Sequence, residues 1–403
     1  MGNIKLVLLT GLILISVKIF SQETTKTKFG KGLYNVVAED SSWSMKLGAR
    51  FQTLFIGEWN VNDTAGITDG NSKFLTRRAR LKFDGFAFSP RLQYKLELGL
   101  SNRDISGASE YTSNSPRYIL DAVLKWNFYK NFTIWVGQTK LPGNRERVIS
   151  SGNLQLVDRS LLNSRFNIDR DMGAQLRHHF TLGEKFTVKE MLSVAQGEGR
   201  NVTSDNLGGY QWTGRLELLP LGNFTSKGDY SGGDLKREEK PKIAIGATYD
   251  LNDRAVKTRS NQGSYMETDN GFYETTVYTI FVDAMIKYKG TSVMLEYADR
   301  TADKPMAKNS DGTATGDVIS VGRGLNAQIG YLFKNNWEVA GRFTQIELDK
   351  KITGKDIENQ YTLGLSKYIS GHKLKVQSDI SYLTVENKKD SELMYRLQVD
   401  VHF

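Results

Sequence analysis

Cationic side chains are concentrated between residues 140 and 171 of this 403-residue chain. The members of this group are Lys140, Arg145, Arg147, Arg159, Arg165 and Arg170. A guanidinium group can bind two oxygens of a phosphate or carboxylate at once, so these residue types suit a site for small oxyanions. Four carboxylates of the same segment allow another outcome, in which some of the arginines form ion pairs that hold the segment in place. These carboxylates are Glu146, Asp158, Asp169 and Asp171.

The residue types that serve catalysis and metal binding are scarce. The chain has no cysteine and only four histidines, of which His178 and His179 are adjacent and point to opposite faces of a predicted strand. A hydrolase needs a histidine beside a nucleophile or an acid, and the sequence lacks spacings such as His-x-His that are typical of metal sites. We therefore expect no enzyme activity, no catalytic residues, no metal and no cofactor. An outer-membrane hydrolase is the alternative.

The end of the chain, residues 393–403, shows the clearest secondary-structure signal. Its apolar residues occupy every second position: Leu393, Tyr395, Leu397, Val399, Val401 and Phe403. Successive side chains of a strand point to opposite faces, and about ten residues allow a tilted strand to cross a bilayer. A strand that ends on a terminal Phe also resembles the C-terminal signal of bacterial outer-membrane proteins. We therefore expect the barrel-assembly machinery to be a partner of this strand.

The same two-residue period recurs along the chain and predicts about sixteen strands. They lie near 45–55, 79–87, 92–100, 118–129, 132–140, 172–181, 185–195, 210–219, 241–250, 276–289, 291–300, 324–334, 336–348, 359–369, 372–386 and 392–403. Many are longer than the about five or six residues that are usual in soluble sheets. We predict an all-β fold, a transmembrane antiparallel β-barrel, with a β-sandwich as the alternative.

The second and third predicted strands form the most regular hairpin and carry basic residues on one face. Arg78, Arg80 and Lys82 alternate with apolar residues in the second strand, and Lys95 does so in the third. A Lys or Arg on the lipid side of a barrel costs about 2–4 kcal/mol near the middle of the bilayer. We therefore predict that these four side chains point into the lumen.

Short and long joins alternate between the predicted strands. The join after the fifth strand, 141–171, is long and combines the arginines with apolar residues, so we expect it to fold into the lumen as a constriction. A ring of Arg or Lys at a constriction selects anions. The join at 220–240 is long where a short turn is due, and we interpret it as a charged, disordered periplasmic excursion.

The amino terminus has the pattern of a secretory signal, since Lys5 precedes an apolar run and Ser21 provides a small-residue exit. We predict a signal peptide at 1–22, a periplasmic N-terminal segment at 23–42 and the barrel at 43–403, with a short membrane anchor as the alternative to the signal. Aromatic residues at predicted strand ends indicate the girdles of a membrane barrel. They are Trp59, Trp126, Tyr129, Phe132, Trp135, Tyr288, Tyr331, Phe333, Trp337, Tyr382, Tyr395 and Phe403.

Several short motifs occur in order between residues 46 and 180. They are KLGARF at 46–51, RRARLKF at 77–83, YKLEL at 94–98, VGQTK at 136–140, VDRSL at 157–161 and RDMGAQ at 170–175. With these motifs the chain resembles the phosphate-selective porins O and P and their relatives in Bacteroidetes. By position, five residues match the basic constriction segment of that family: Lys140, Arg145, Arg147, Arg159 and Arg170.

The resemblance implies a trimeric porin in the outer membrane of a Gram-negative bacterium, surrounded by lipids and lipopolysaccharide, with small anions such as phosphate as its solutes. The formal net charge of +9 also favours anions near a channel mouth, and the absence of a long basic run argues against nucleic acid. The alternatives are a general porin and a porin for saccharides, organic anions or polyphosphate. Lumen aromatics would favour sugars, whereas stacked Arg and Lys would favour phosphate.

Overall fold

The computed structural model describes residues 28–62, 64, 66–105 and 107–403. Within these residues, sixteen antiparallel strands form one closed barrel, in which β1 pairs with both β2 and β16. The strands are β1 (Trp43–Asn62), β2 (Gly66–Ala87), β3 (Ser89–Gly99), β4 (Ile119–Tyr129), β5 (Phe132–Lys140), β6 (Arg170–Leu182), β7 (Phe186–Ala195), β8 (Gln211–Leu219), β9 (Lys242–Ala255), β10 (Thr275–Tyr288), β11 (Thr291–Ala302), β12 (Gly322–Leu332), β13 (Trp337–Leu348), β14 (Glu358–Tyr368), β15 (Leu374–Val385) and β16 (Ser391–His402). This confirms the predicted barrel. The predicted signal peptide, 1–22, lies outside the described residues.

Each strand turns its polar side chains inward and its apolar side chains outward. In β8, Gln211 and Arg215 are buried inside the barrel, whereas Trp212 and Leu216 are exposed on its outer wall. This is the reverse of a soluble sheet, because the surroundings of the outer wall are apolar and the inside is polar. Among the described residues, no helix combines the length and the apolar character that a membrane crossing requires.

The predicted alternation of short and long joins is confirmed. One rim of the barrel has turns of one to five residues, except at 220–241. The opposite rim has most of the long connections, with short elements in some of them. The helices are α1 (Arg145–Val148), α2 (Leu161–Phe166) and α3 (Lys350–Thr353), with 3₁₀ turns at Glu110–Thr112, Ser151–Asn153 and Thr225–Tyr230. The short strands are Tyr34–Val37, which pairs with the start of β1, and Lys257–Arg259, Gln262–Tyr265, Glu267–Thr268, Gly271–Phe272, Met306–Lys308 and Ala314–Val318.

The prediction of a disordered excursion at 220–240 is wrong, because this segment folds back into the barrel. Its Phe224 packs with Ile149, Leu154 and Met285 in a buried apolar cluster. Its carboxylates are satisfied locally, since Glu238 accepts a hydrogen bond from the main-chain N–H of Thr225 at 2.6 Å. A segment that buries apolar residues and pairs its own charges does not need water around it.

Candidate anion path

The connection between β5 and β6, residues 141–169, lies inside the barrel and is called the inner loop below. Its helix α2 begins after Ser160, whose side chain accepts a hydrogen bond from the main-chain N–H of Asn163 at 3.2 Å. On the buried side of α2, Leu162 and Phe166 pack against Phe281 and Ile346 of the barrel wall. The apolar residues of the loop therefore fasten it to the wall by ordinary core packing.

Polar contacts fix the inner loop to strands far from its ends. The side-chain amide of Gln155 donates to Glu338 of β13 at 2.7 Å, and the main-chain N–H of Val157 donates to Asp379 of β15 at 3.0 Å. These partners are nearly two hundred residues or more away in sequence, so the loop crosses the lumen rather than following its own strands. Buried acceptors that are satisfied in this way hold a loop in one conformation.

The inner loop also meets the 220–240 segment inside the barrel. The main-chain N–H of Gly232 donates to the carbonyl oxygen of Asn153 at 2.6 Å, and Arg145 donates to the carbonyl oxygen of Asp229 at 3.1 Å. Loop and segment together fill the lumen beside β8 to β15.

The opposite part of the lumen, beside β2 to β6, contains a cavity of about 640 Å³, called the main cavity. Thirteen lysines and arginines line it, against four carboxylates. The cationic residues are Arg77, Arg78, Arg80, Lys95, Arg103, Lys125, Lys140, Arg147, Arg159, Arg170, Arg177, Arg200 and Arg259. The carboxylates are Glu97, Asp104, Asp121 and Asp169. The interior of the barrel is therefore cationic on this side.

A β-bulge adds a cation that strict alternation would place on the outer wall. The register between β1 and β2 shifts at Thr76–Arg78, so that Arg77 is the extra residue and points inward together with Arg78. Both donate to Asp158 of the inner loop, at 2.6 Å from Arg77 and 3.3 Å from Arg78. Burial opposes the ionisation of Asp158, but the two guanidinium groups outweigh it and hold the pKa of this carboxyl well below its usual range. The free-energy cost of an arginine on the lipid side is the signal in the sequence that could have predicted the inward direction of Arg77.

Several cations of the main cavity are compensated by carboxylates. Arg80 donates to both oxygens of Asp104, at 2.7 and 2.6 Å, and lies 3.0 Å from Glu97. Arg170 and Lys95 share Asp121, at 3.1 and 2.6 Å. In the same way, Arg147 forms an ion pair with Asp169. These pairs shape the wall and leave little net charge for a solute.

Two further cations of the main cavity, Lys140 and Arg159, are held by main-chain carbonyl oxygens. Lys140 donates to the main-chain carbonyl oxygen of Arg147 at 2.7 Å. Arg159 donates to the carbonyl oxygens of Glu146 at 2.9 Å and Ile149 at 2.7 Å. Burial and the neighbouring Arg147 lower the pKa of Arg159 to about 9, which still leaves it charged at neutral pH. Carbonyl contacts orient both side chains, and Arg159 keeps its charge available.

Two of the predicted path residues, Arg145 and Arg165, lie outside the main cavity. Arg145 is 0% exposed and its side chain is 2.7 Å from Asp283 of β10. Burial lowers the pKa of Arg145, but Asp283 and Glu217 outweigh this effect and raise it. Arg165 forms a bidentate pair with Glu358 of β14, at 2.9 and 2.7 Å. The structure places both arginines where they anchor the inner loop.

The four predicted lumen residues all lie inside the barrel. Arg78, Arg80 and Lys95 line the main cavity, whereas Lys82 lines a smaller cavity of about 120 Å³ together with Lys46 and Lys373. The two cavities share lining residues, namely Arg80, Glu97 and Ser150. Since Arg259 lies in a long loop and Lys373 in a short turn, cationic side chains extend from one rim of the barrel to the other.

Trp135 also points into the main cavity, so its assignment to the outer aromatic girdle is wrong. It pairs with Lys125 of β4 and with Gln175 of β6, two residues before Arg177. The ammonium nitrogen of Lys125 and the central guanidinium carbon of Arg177 are each 3.9 Å from a ring centroid of its indole. The alternation of β5 requires this position, because its neighbour Val136 is exposed on the outer wall.

Solved structures with the same fold are porins and other outer-membrane proteins. The outer membrane channel DcaP of Acinetobacter baumannii is 12% identical, with a TM-score of 0.53 over 91% of this chain and 99% of that chain. The anion-selective porin from Comamonas acidovorans is also 12% identical, with a TM-score of 0.50 over 90% of this chain and 100% of that chain. OmpT of Vibrio cholerae, solved in a trimer form, is 12% identical as well, with a TM-score of 0.50 over 90% of this chain and 100% of that chain.

The family is established by the sequence itself. The model of the family described as phosphate-selective porin O and P matches residues 46–402, which is nearly the whole chain. The match begins near the start of β1 and ends at the last residue of β16, so it covers the complete barrel. The chain therefore belongs to the phosphate-selective porin O and P family and is a porin of the Gram-negative outer membrane.

Proposed function

We propose that this porin passes small oxyanions of the phosphate type along the main cavity. The observation that carries the proposal is the composition of the cavity wall, with thirteen cations and four carboxylates. A confined space that is lined by one sign of charge concentrates the opposite ion and favours its passage. Arginine adds selectivity for oxyanions, because its N–H groups match two oxygens at once.

The inner loop is the constriction in this proposal. It contributes Arg147, Arg159 and Asp169 to the wall of the main cavity, while its apolar residues fill the other part of the lumen. An anion that passes the loop therefore moves between Arg159 on one side and the cations of β2 to β6 on the other. The predicted path residues Lys140, Arg147, Arg159 and Arg170 belong to this passage, and Arg145 and Arg165 support it.

A saccharide channel is supported less well. Sugar channels guide their solutes over stacked aromatic rings, and among the described residues that line the main cavity Trp135 is the single aromatic residue. Its ring is in contact with two cations rather than open to a sugar. Ion pairing in the wall, as between Arg80 and Asp104, reduces the field but leaves an excess of cations.

We further propose a homotrimer in the outer membrane, in contact with lipids and lipopolysaccharide. The trimer form of OmpT from Vibrio cholerae, which has the same fold, supports this assembly. Insertion would rely on the barrel-assembly machinery, with β16 and the terminal Phe403 as the recognised end. We also propose a periplasmic position for residues 23–42, which is supported by the pairing of Tyr34–Val37 with β1 at the rim of short turns.

Phosphate block of the chloride current tests the proposed solute. Purified protein is inserted into a planar bilayer in KCl, and phosphate is added in steps to one side. Binding inside the passage predicts a saturable fall of the chloride current, because an oxyanion held by several cations excludes chloride while it stays. A current that is unchanged by phosphate at concentrations up to that of chloride would contradict phosphate-type selectivity and favour a general porin.

A further inference from the structure

A furrow of about 650 Å³ lies on the outer wall of the barrel, across strands β6 to β10. Its rims are large apolar side chains that are 39–61% exposed: Leu176, Leu192, Leu216, Tyr249 and Ile280. This wall faces the hydrocarbon of the membrane, because the polar side chains of the same strands point into the lumen. The furrow is therefore open to an apolar group from the membrane.

Two small residues make the floor of the furrow. Gly214 of β8 lies between Leu192 of β7 and Tyr249 of β9 in the register of the sheet. Ala247 of β9 pairs with Leu216 of β8. Large side chains therefore stand beside both small residues and leave a groove between them. Its apolar lining suits a flexible alkyl chain, which gains contact area by lying in it.

One side of the furrow carries a polar pair, formed by His178 of β6 and Glu190 of β7. Nδ1 of His178 lies 3.0 Å from a carboxylate oxygen of Glu190. The imidazole ring stacks on the ring of Phe132, with 3.9 Å between the centroids and an interplanar angle of 11°. Phe132 is the first residue of β5, directly after the short turn at 130–131. The pair is therefore at the level of the rim of short turns, where lipid headgroups meet the wall.

The carboxylate of Glu190 has room for a cation. Its side chain is 51% exposed, and among the described residues its ion-pair partner is His178 alone. The imidazole compensates the carboxylate only when it is protonated. A carboxylate on the outer wall is costly unless a cation approaches it. An ammonium headgroup supplies that cation and donates charge-assisted hydrogen bonds.

We infer that this furrow binds a phospholipid whose headgroup carries a primary ammonium group. One acyl chain lies over Gly214 and Ala247, and the ammonium group binds the carboxylate of Glu190. The lipid belongs to the leaflet at the rim of short turns, which is the periplasmic leaflet of the outer membrane. This site deepens the proposed contact with membrane lipids and is independent of the proposed solute.

Native mass spectrometry of the purified porin tests the site, because it counts the lipids that stay bound. The probes are phosphatidylethanolamine and phosphatidylglycerol with the same acyl chains, added at equal concentration. Phosphatidylglycerol has hydroxyl groups in place of the ammonium group. We expect the wild type to prefer phosphatidylethanolamine about tenfold, as for one charge-assisted hydrogen bond.

Two variants separate the headgroup from the acyl chain. Glu190→Gln removes the charge, and the two lipids should then bind equally. Gly214→Leu fills the furrow and should reduce the retention of both lipids about tenfold, since an acyl chain loses its contacts with the floor. A Cβ atom at Gly214 would lie 3.5 Å from Leu192, an ordinary van der Waals distance, so the barrel should still fold.

The matched control is Gly341→Leu on the outer wall of β13. A Cβ atom at Gly341 would meet no described atom within 4 Å, so the added side chain points into open space. Retention of both lipids should equal that of the wild type. Heat-modifiable migration shows whether each variant is folded, so that a misfolded protein is not counted.

Equal retention of the two lipids by the wild type would contradict the contact between the ammonium group and Glu190. Unchanged retention in folded Gly214→Leu would show that the furrow is not the site. If Gly214→Leu instead converts trimer masses into monomer masses, the furrow is a contact between copies of this chain and the lipid site is wrong. Phosphate block of the chloride current should be the same in all variants, so the proposed solute is judged separately.

Discussion

Arginines of one loop serve different purposes because different groups compensate their charges. Arg159 faces the main cavity and donates to main-chain carbonyl oxygens, whereas Arg165, six residues later, pairs with Glu358 outside the cavity. A carbonyl group orients a guanidinium group and leaves its net charge in place. A carboxylate forms a neutral pair with it, so that the field of the cation is cancelled at longer range. In the proposed function, Arg159 therefore acts on a passing anion, whereas Arg165 holds the loop.

Arg159→Gln should reduce the preference for chloride over potassium, and Arg165→Gln should leave it unchanged. The expected reduction for Arg159 is roughly fourfold, since a unit charge about 10 Å away in water-like surroundings contributes about 0.4 kcal/mol, with opposite sign for chloride and potassium. The permeability ratio, obtained from the reversal potential in a KCl gradient, is the measurement. Equal effects of both substitutions would show that loop geometry, rather than the charge at Arg159, sets selectivity.

The sequence pattern predicts that the cationic segment after β5 enters the lumen, but it does not predict the partner of each cation. The alternation of polar and apolar residues predicts which side chains point into the lumen, because a two-residue period fixes the side of the strand on which each one lies. It does so for Arg78, Arg80, Lys82 and Lys95. The partners of Arg145 did not follow, since Asp283 is 138 residues away in sequence. The girdle prediction for Trp135 is wrong because it rests on the position near a strand end, whereas the two-residue period points this side chain inward.

At the scale of elements, the inner loop and the 220–240 segment brace each other inside the barrel. Gly232 donates to Asn153 across their boundary, and Lys287 of β10 donates to the carbonyl oxygen of Ser231 at 2.9 Å. On the far side, Lys375 of β15 donates to the carbonyl oxygen of Leu154 at 2.8 Å. The 220–240 segment therefore helps to hold the inner loop in its position.

Replacing residues 224–238 by a short Gly-Ser turn should increase the single-channel conductance and its fluctuations. The replacement removes Phe224 from the apolar cluster around Ile149 and the contact of Gly232 with Asn153, so the inner loop loses its support. Strands β8 and β9 stay paired, and the barrel should still fold, as heat-modifiable migration would show. An unchanged, quiet conductance in single-channel recordings would mean that the loop holds its position without the segment.

The strands were predictable and the 220–240 segment was not, for a physical reason. Each strand repeats a local pattern that the apolar outer surroundings impose, so its signal is complete within about ten residues. The segment is stabilised by partners elsewhere in the chain, including Asn153 and Lys287. Its composition is polar, and a polar segment with distant partners has the same composition as a disordered one.

At the scale of the whole molecule, closure of the barrel depends on the pairing of β1 with β16. Twelve residues of β1, from Arg50 to Val61, face partners in β16. The ring of Phe403 lies 6.0 Å from that of Phe29 and 6.3 Å from that of Phe51, both edge-on, so the last residue packs over this seam. A barrel without open edges satisfies its backbone groups in the membrane.

Deletion of Phe403 should lower the amount of folded porin in the outer membrane without changing the conductance of the molecules that insert. The deletion removes two aromatic contacts worth about 1 kcal/mol each, together with the proposed recognition end. The fraction of heat-modifiable protein in membrane preparations measures the first effect, and planar bilayers the second. Val36→Ala, a substitution in the short N-terminal strand, controls for a general loss of stability at this rim. Normal amounts of the Phe403 deletion would exclude the C-terminal role.

From the excess of cations in the main cavity as a whole, we propose that the channel is selective for anions. The reversal potential of the wild-type porin under a KCl gradient across a planar bilayer tests this most directly. We expect a potential that lies towards the equilibrium potential of chloride and moves towards zero when salt is raised on both sides, since screening weakens the field of the wall. A reversal potential on the potassium side would contradict it.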